Sequence, residues 1–275
     1  MASKKILFIS QEITPYLPES EMSMISRTLP QGIQDRGREI RTFMPRFGCV
    51  NERRNQLHEV IRLSGMNLII DDSDHPLIIK VASIQSARMQ VYFIDNEDFF
   101  QRKFTLSDDN GEYFADNDER AIFFARGVIE TVRKLQWAPD LIHCHGWFTG
   151  LIPLYIKKYY SDDPLFMDSQ VVTSIYDQGF DKPLDKRLFD KLTWDGIDKQ
   201  EIELIKDPTY QNWMKLVVNF SDAIIFGGQN IQEEIKNYVI KSGLPSLDYQ
   251  SEEDFIDAYS EFYDKILSEV VNGAN

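Results

Sequence analysis

Two histidines flank a cysteine in residues 140–151, which read DLIHCHGWFTGL. The apolar residues before them predict a buried strand. Residues two apart in a strand share one face, so His143 and His145 should point together while Cys144 points away. Two imidazoles do not complete a zinc site, and the other two histidines of the chain lie in separate contexts. We therefore predict structural histidines and no metal at this strand end.

The carboxyl end of that strand is still the best place to look for a ligand. Open parallel sheets bind ligands in the crevice beyond the carboxyl ends of their strands. The apolar run KKILFIS predicts a first strand over 4–10, and the run discussed above ends at His145. We expect both ends to line one crevice, with Ser10 and Glu12 at its edge and His145 and Tyr176 as candidate acid/base groups.

Familiar catalytic and phosphate-binding motifs do not occur in the sequence. It contains no GxSxG elbow, no P-loop and no GxGxxG fingerprint. The glycine pair at 227–228 predicts a tight turn before a helix. The acidic run at 106–119 lacks the spacing of a calcium loop, so we interpret it as a solvated turn and a helix N-cap.

The amino-acid composition restricts the classes of molecule that this protein can bind. The 275 residues include 44 acidic and 30 basic side chains, which gives a formal net charge of −14, and 43% of them are hydrophobic. A duplex nucleic acid or an anionic membrane surface would be repelled, and a ligand that carries phosphate needs a local exception. The apolar run at 6–9 is too short for a signal peptide or a membrane span. We expect a cytoplasmic protein, with Cys49 and Cys144 as buried thiols.

The apolar pattern alternates between strands and helices and predicts an α/β fold. Strands are expected over 4–10, 39–45, 138–145, 169–176 and 221–228, and helices over 21–35, 116–136, 149–160 and 230–240. Three apolar stretches within 67–95 predict antiparallel strands at a sheet edge. Together, these predicted strands and helices indicate a Rossmann-like, mostly parallel sheet with helices on both faces.

One domain is expected to contain residues 1–275, with its core in 1–240. Apolar residues recur at helical spacing in the last segment, 251–272. They are Phe255, Ala258, Phe262, Ile266 and Val270. We predict an amphipathic helix that packs back on the body of the protein.

Four ordered blocks resemble the amino-terminal half of the bacterial glycogen synthase and plant starch synthase family. They are KKILFISQEITPYL at 4–17, RGREIRTFMPRFG at 36–48, YFIDNEDFFQR with GEYFADNDERAIFFAR within 92–126, and PDLIHCHGWFTGLIPLYIK at 139–157. The resemblance extends to about residue 240. It implies a single amino-terminal lobe of a GT-B-type glycosyltransferase. In that family the second lobe holds most of ADP-glucose, and a glucan acceptor approaches the cleft.

The resemblance breaks where the family binds its donor. An ungapped alignment places the family's Lys-Thr-Gly-Gly-Leu motif on Pro18, Glu19, Ser20, Glu21 and Met22. The family's lysine supplies positive charge to phosphates, and its glycines let backbone N–H groups approach them. Glu19 and Glu21 would repel them instead. A nucleotide diphosphate sugar is therefore predicted to bind poorly.

The histidine block departs from the family as well. The family's His-Asp-Trp-His becomes His145, Gly146, Trp147 and Phe148, and its Thr-Ile-His-Asn segment aligns with 173–177, which contains no histidine. The glutamine and glycine after that segment persist. The predicted crevice residues are Ser10, Glu12, Glu19, Ser20, Glu21, His145, Gly146, Trp147, Gln178 and Gly179.

Simpler interpretations stand beside these roles. Trp147 could pack on the following helix, and His145 could bond a backbone carbonyl. Glu19 and Glu21 could be exposed carboxylates that favour a helix start.

Three functions are consistent with these residues. The first is a relative that no longer transfers glucose alone and acts as a binding or regulatory protein. The second is a glucosyltransferase that extends an α-1,4-glucan from ADP-glucose, with a second lobe supplied by another chain, because this sequence ends where that lobe would begin. The third is a different enzyme with Glu19, Glu21, His145 and Tyr176 as acid/base groups. We expect no cofactor, a sugar, glucan or nucleotide-sugar ligand, and a partner chain or a homo-oligomer.

Overall fold

The computed structural model describes residues 3–251 and 254–273, and within 269–273 it describes the backbone alone. Its strands are β1 (Lys5–Ser10), β2 (Glu39–Pro45), β3 (His58–Glu59), β4 (Met66–Ile70), β5 (Ser73–Ile84), β6 (Met89–Asp95), β7 (Leu141–His145), β8 (Gln170–Ile175), β9 (Ala223–Phe226) and β10 (Ser246–Leu247). Its helices are α1 (Glu21–Asp35), α2 (Glu52–Asn55), α3 (Glu97–Phe100), α4 (Asn117–Lys134), α5 (Leu151–Leu154), α6 (Leu188–Trp194), α7 (Tyr210–Phe220), α8 (Glu233–Ser242) and α9 (Phe255–Gly273).

The strands form a sheet in the order β10-β9-β8-β7-β1-β2-β6-β5-β3, with β4 paired to β5 beside this path. Every neighbouring pair from β10 to β6 is parallel, and β5 runs antiparallel to β6 and to both short strands, β3 and β4. The predicted Rossmann-like, mostly parallel sheet is therefore confirmed.

The predicted antiparallel strands are confirmed, since β5 runs antiparallel to both β4 and β6, but β6 lies inside the sheet and not at its edge. Strand β6 pairs in parallel with β2, with Thr42 opposite Val91. The chain returns to β2 through the β3, β4 and β5 insertion, and so long a connection permits a parallel neighbour. The apolar pattern of β6 could not distinguish these two directions.

Alternation along β1 divides the core between the two faces of the sheet. Ile6 and Phe8 belong to the apolar cluster under α1 and α9, whereas Leu7 and Ile9 belong to the larger cluster on the other side. This is the period of two that a strand imposes on its side chains. A strand buried on both faces accordingly reads as a continuous apolar run, as KILFI does.

Helix α1 has the predicted bounds, and its start is built from local hydrogen bonds. The Ser23 backbone N–H donates to Ser20 Oγ at 3.0 Å, and the Ser20 backbone N–H donates to Ser23 Oγ at 2.8 Å. This reciprocal arrangement is a capping box, which satisfies two backbone donors at the helix start. The helix ends before Gly37, whose φ of +83° favours glycine.

The C-terminal helix packs back on the body as predicted, beginning at Phe255. Its buried positions are Phe255, Tyr259, Phe262, Tyr263 and Ile266. Ala258 is only half-buried, and the Val270 side chain and residues 252–253 lie outside the described residues. Arg36 pairs with Asp257 and Arg38 with Asp264, so charges at the end of α1 hold the exposed side of α9.

Two local predictions are wrong. Cys49 is exposed, because it lies in the turn after β2, where Phe47 and Val50 occupy the buried positions. Cys144 is buried, as predicted. The strand predicted to be last, β9, is followed by β10, with Ser246 opposite Ile224. A two-residue strand has too few apolar positions to produce a sequence signal.

Candidate active site

The strand ends predicted to line one crevice are neighbours in the sheet. Ser10 at the end of β1 lies opposite His145 at the end of β7, and His145 lies opposite Ser174 in β8. All three side chains are buried. Ser10 Oγ has no hydrogen-bond partner in the described part of the chain. The register of three parallel strands thus places these polar groups together.

His145 forms a hydrogen bond with Tyr176, the other candidate acid/base group. The His145 Nδ1 and Tyr176 hydroxyl oxygen are 2.8 Å apart. Burial lowers the pKa of His145 to about 3 and raises the pKa of Tyr176 well above its usual value. Near neutral pH the tyrosine therefore donates to Nδ1, and the imidazole proton is assigned to Nε2. Neither group can exchange a proton readily at that pH.

His145 Nε2 has no hydrogen-bond partner among the described residues. With the tautomer assigned above, this atom is a buried N–H donor next to the crevice. A buried donor without a partner costs free energy, so such an atom is a candidate contact for a ligand acceptor. The simpler interpretation, that His145 bonds a backbone carbonyl, does not match its contacts.

The second histidine, His143, is held from both sides. Its Nδ1 lies 2.5 Å from the Tyr263 hydroxyl of α9, and its Nε2 lies 2.8 Å from Ser174 Oγ. Burial and the neighbouring His145 keep its pKa well below the usual range. His143 is therefore a neutral structural group, and its two partners explain why this polar residue is tolerated in the core.

Helix α9 covers this part of the sheet with aromatic side chains. Tyr263 lies over Phe8 and His143, with ring centroids 6.5 and 5.5 Å away. Tyr259 packs beside His143 at 5.9 Å. The sequence pattern predicted that α9 would dock, but it gave no sign that its tyrosines would meet the histidines.

The start of α1 forms the rim of the crevice and carries carboxylates. Ser20 Oγ donates to Glu12 Oε2 at 2.8 Å while it caps the helix. Glu19 and Glu21 are exposed beside it. A helix start attracts anions, but here the capping serine and three carboxylates already occupy that position.

Gly146 follows His145 and lets two segments approach closely. Its φ is +87°, and a Cβ at this position would lie 2.8 Å from Met22 Sδ and 2.9 Å from Gln11 Oε1. Gln11 is a site residue that sequence reasoning missed: its Oε1 accepts a hydrogen bond from the Phe148 backbone N–H at 3.1 Å. Its position directly after β1 was the available signal.

Three predicted crevice residues have structural contacts instead. Trp147 is buried in an aromatic cluster, 4.9 Å from Phe180 and 6.1 Å from Trp213 between ring centroids. Trp147 is thus a packing residue, but these partners lie in the loop after β8 and in α7 rather than in the following helix. Gly179 lies against the Tyr210 ring, and the Gln178 carbonyl accepts a hydrogen bond from the Tyr210 hydroxyl at 3.2 Å. Both belong to the loop after β8, beyond the buried histidines.

The glycine pair at 227–228 meets the end of β8, which the turn interpretation did not anticipate. A Cβ on Gly227 would lie 2.8 Å from the Tyr176 ring, and one on Gly228 would lie 2.1 Å from Asp177 Oδ1. Asp177 in turn accepts a hydrogen bond from the Asn230 backbone N–H at 3.0 Å. The pair therefore permits close packing of two loops at the crevice.

The described residues contain no group of three or more His, Cys, Asp or Glu side chains arranged to hold a metal ion. Within the same residues, no helix is both long and apolar enough to span a membrane.

The parallel sheet, with its polar crevice at the ends of β1, β7 and β8, matches one lobe of a GT-B glycosyltransferase fold, as a comparison with a solved structure shows. The fold is similar to the catalytic domain of starch synthase IV from Arabidopsis thaliana, a structure with bound ADP and acarbose. The TM-score is 0.67 at 16% identity, over 82% of this chain and 45% of that chain.

The chain belongs to the starch synthase catalytic domain family, whose model matches residues 5–247. It is 36% identical over 189 residues to the glycogen synthase of Chlorobium limicola, covering 68% of this chain and 39% of that protein. It is 37% identical over 202 residues to the glycogen synthase of Chlorobaculum tepidum, covering 70% and 41%. The chain thus spans about two fifths of the length of these relatives, and the family resemblance is confirmed.

Proposed function

We propose that this member of the glycogen and starch synthase family acts as a carbohydrate-binding or regulatory protein and does not transfer glucose by itself. The observation that carries the proposal is the start of α1. Ser20 and Ser23 satisfy each other's backbone donors there, Glu12 accepts a hydrogen bond from Ser20, and the exposed Glu19 and Glu21 flank Ser20 in the sequence. A diphosphate at this place would face carboxylates instead of a lysine and free backbone N–H groups.

The magnitude of this repulsion supports the proposal. A carboxylate a few ångströms from a phosphate costs on the order of 1–4 kcal/mol at surface-like dielectric. Two such contacts would weaken binding by several tens-fold or more. The backbone can compensate less, because two of its donors at the helix start are already used within the capping box.

The histidine block supports the same proposal. His145 is neutral with its pKa lowered to about 3, and Phe148 occupies the position of the family's second histidine. Phe148 is fully buried and packs 5.7 Å from Phe124 between ring centroids. An apolar ring can neither donate a hydrogen bond to a sugar hydroxyl nor transfer a proton.

Calorimetry with ADP-glucose and a transfer assay of labelled glucose onto glycogen test the proposal. The unmodified chain should show neither binding in the micromolar range nor transfer. The combined variant Pro18→Lys, Glu19→Thr, Ser20→Gly, Glu21→Gly and Met22→Leu should gain affinity for ADP-glucose. The control variant Glu19→Gln/Glu21→Gln removes the charges alone and should gain less.

Micromolar binding or transfer by the unmodified chain would refute the proposal and favour the glucosyltransferase alternative. Transfer that appears only when the second lobe of a relative is added would favour that alternative too, with the lobe supplied by another chain. Retention of the unmodified chain in a native gel that contains glycogen tests the carbohydrate-binding part. Migration unchanged by glycogen, together with no calorimetric signal from maltoheptaose, would reject that part.

A further inference from the structure

A groove of about 550 Å³ lies on the side of α1, away from the helix start. Its walls are the middle of α1 at Arg27, the segment from Arg54 to His58, and the end of β5 with the turn after it. Tyr16 and the preceding proline form the remaining wall. This volume lies within the range of small-molecule sites.

The side chains that line the groove carry positive charge, whereas the net charge of the whole chain is negative. Eleven residues line it, and none is Asp or Glu, although 44 acidic residues occur in the sequence. Arg27, Arg54 and His58 all line it. None of the three forms an ion pair with a carboxylate in the part of the chain that the structure describes. The groove is thus the local exception that a phosphate ligand requires in a chain of net charge −14.

Several arginines elsewhere in the protein are neutralised by carboxylates. Arg126 Nη1 lies 2.9 Å from Asp195 Oδ1, and Arg133 Nε lies 2.7 Å from Asp163 Oδ2. Arg27 instead donates to the neutral hydroxyl of Ser86 at 3.1 Å, which orients its guanidinium without cancelling its charge. An oriented guanidinium has further donors for an anion.

Tyr16 forms one wall of the groove. Its side chain is 6% exposed, and its hydroxyl has no hydrogen-bond partner in the described residues. The ring is fixed edge-on against Phe93, with centroids 4.9 Å apart. The hydroxyl is therefore shielded from the groove, and Tyr16 contributes a fixed wall to it.

The uncharged polar residues of the groove can bind the sugar part of a ligand. Asn55, Gln56 and Gln85 supply amides and Ser83 a hydroxyl, all of which both donate and accept hydrogen bonds. Guanidinium groups recognise phosphate oxygens, and amides and hydroxyls match the alcohols of a sugar. We propose that this groove binds a small phosphate ester that also carries several hydroxyl groups, of the size of a hexose phosphate.

Calorimetry of the intact chain with glucose 1-phosphate, inorganic phosphate and glucose tests this site. Glucose 1-phosphate should bind saturably, inorganic phosphate more weakly, and glucose without measurable heat at about 10 mM. Arg54→Gln should weaken glucose 1-phosphate about tenfold, and Arg27→Gln/Arg54→Gln should abolish binding. Tyr16→Phe should change the affinity less than about twofold, because the buried hydroxyl does not reach the groove.

Arg53→Gln is the matched control, because Arg53 is an exposed neighbour of Arg54 in α2 and does not line the groove. It removes the same charge and should change the affinity less than twofold, by about the effect of a screened surface charge. Equal weakening by Arg53→Gln and Arg54→Gln would mean nonspecific attraction and would overturn the site. So would absence of saturable binding by the unmodified chain, or glucose binding as tightly as its phosphate. Inorganic phosphate binding as tightly as glucose 1-phosphate would overturn the part of the proposal that concerns the sugar.

Discussion

The crevice beyond β1, β7 and β8 and the groove beside α1 present opposite environments within one molecule. The polar groups of the crevice, such as His143 and His145, are buried and neutral, and its rim carries Glu12, Glu19 and Glu21. The groove presents Arg27, Arg54 and His58 to solvent and contains no carboxylate in its lining. The position of a site within a fold therefore does not determine its charge, because side chains do so locally.

The packing of the two regions differs as well. Aromatic residues of α9 lie against the crevice histidines, whereas the lining of the groove is mostly polar. Changes in the crevice should consequently appear first as changes in stability. Changes in the groove should leave stability nearly unaltered.

Tyr263→Ala should have the largest effect. Tyr263 is 1% exposed, and its removal would leave a cavity over Phe8 and His143, at a cost of about 3–5 kcal/mol in the free energy of unfolding. Tyr263→Phe is the control and should cost about 1–2 kcal/mol, since it removes only the contact with His143. Urea denaturation measures both. Equal costs for the two variants would show that the ring of Tyr263 does not stabilise the crevice.

The pH dependence of stability should depend on His145. Its pKa in the folded protein is lowered to about 3, so between pH 6.5 and 3 the unfolded chain binds a proton that the folded chain does not. This contribution to stability is present above pH 6.5 and is lost as the pH falls. The free energy of unfolding should therefore decrease by about 2 kcal/mol between pH 7.5 and 5.

Urea denaturation of His145→Gln at the two pH values tests this sign. The variant should lose about 2 kcal/mol less than the unmodified chain on acidification. An unchanged pH profile for His145→Gln would contradict a neutral, buried imidazole in the crevice.

Gly146→Ala should be more damaging than Gly37→Ala, although both residues have positive φ. At Gly146 the new Cβ would meet Met22 and Gln11, so strain and steric overlap together should cost about 2–3 kcal/mol. No atom lies within 4 Å of the Cβ position at Gly37, so backbone strain alone should cost about 1 kcal/mol. Thermal unfolding compares them. A similar loss from both would mean that the loops at the crevice are loosely packed.

Tyr16→Phe should have the smallest effect on stability. It removes a hydroxyl that has no partner in the described residues, so the free energy of unfolding should stay constant or rise by up to about 1 kcal/mol. Tyr160→Phe is the contrasting variant, because that hydroxyl donates to Glu130 at 2.7 Å and its loss should cost about 1–2 kcal/mol. Destabilisation by Tyr16→Phe as large as that by Tyr160→Phe would reveal a partner for Tyr16.

Much of the fold could be predicted from the order of apolar residues. The runs that became β1, β2 and β7 and the amphipathic pattern of α1 were sufficient, because strand and helix periods are local properties. The parallel pairing of β6 with β2 could not be predicted, since a strand with a parallel neighbour and one with an antiparallel neighbour can have the same apolar pattern.

The candidate site could be predicted in part. The rule for parallel sheets placed Ser10 and His145 side by side, and the register agrees. It could not predict Gln11 and Tyr263, because glutamine and tyrosine carry no motif and meet the site only through packing. Trp147 matched a family motif, yet its side chain is directed into an aromatic cluster.

The sequence by itself determined the alternation of strands and helices, the bounds of α1 and the replacement of the family's lysine, glycines and second histidine. Only the tertiary structure decided the protonation of the crevice and the location of the positive groove. The physical reason is that desolvation and ion pairing depend on distant residues: His143 meets Tyr263 across 120 positions, and Arg27 meets Ser86 across 59. The protonation state of a side chain, and whether its charge is paired, therefore depend on the neighbours that folding places beside it.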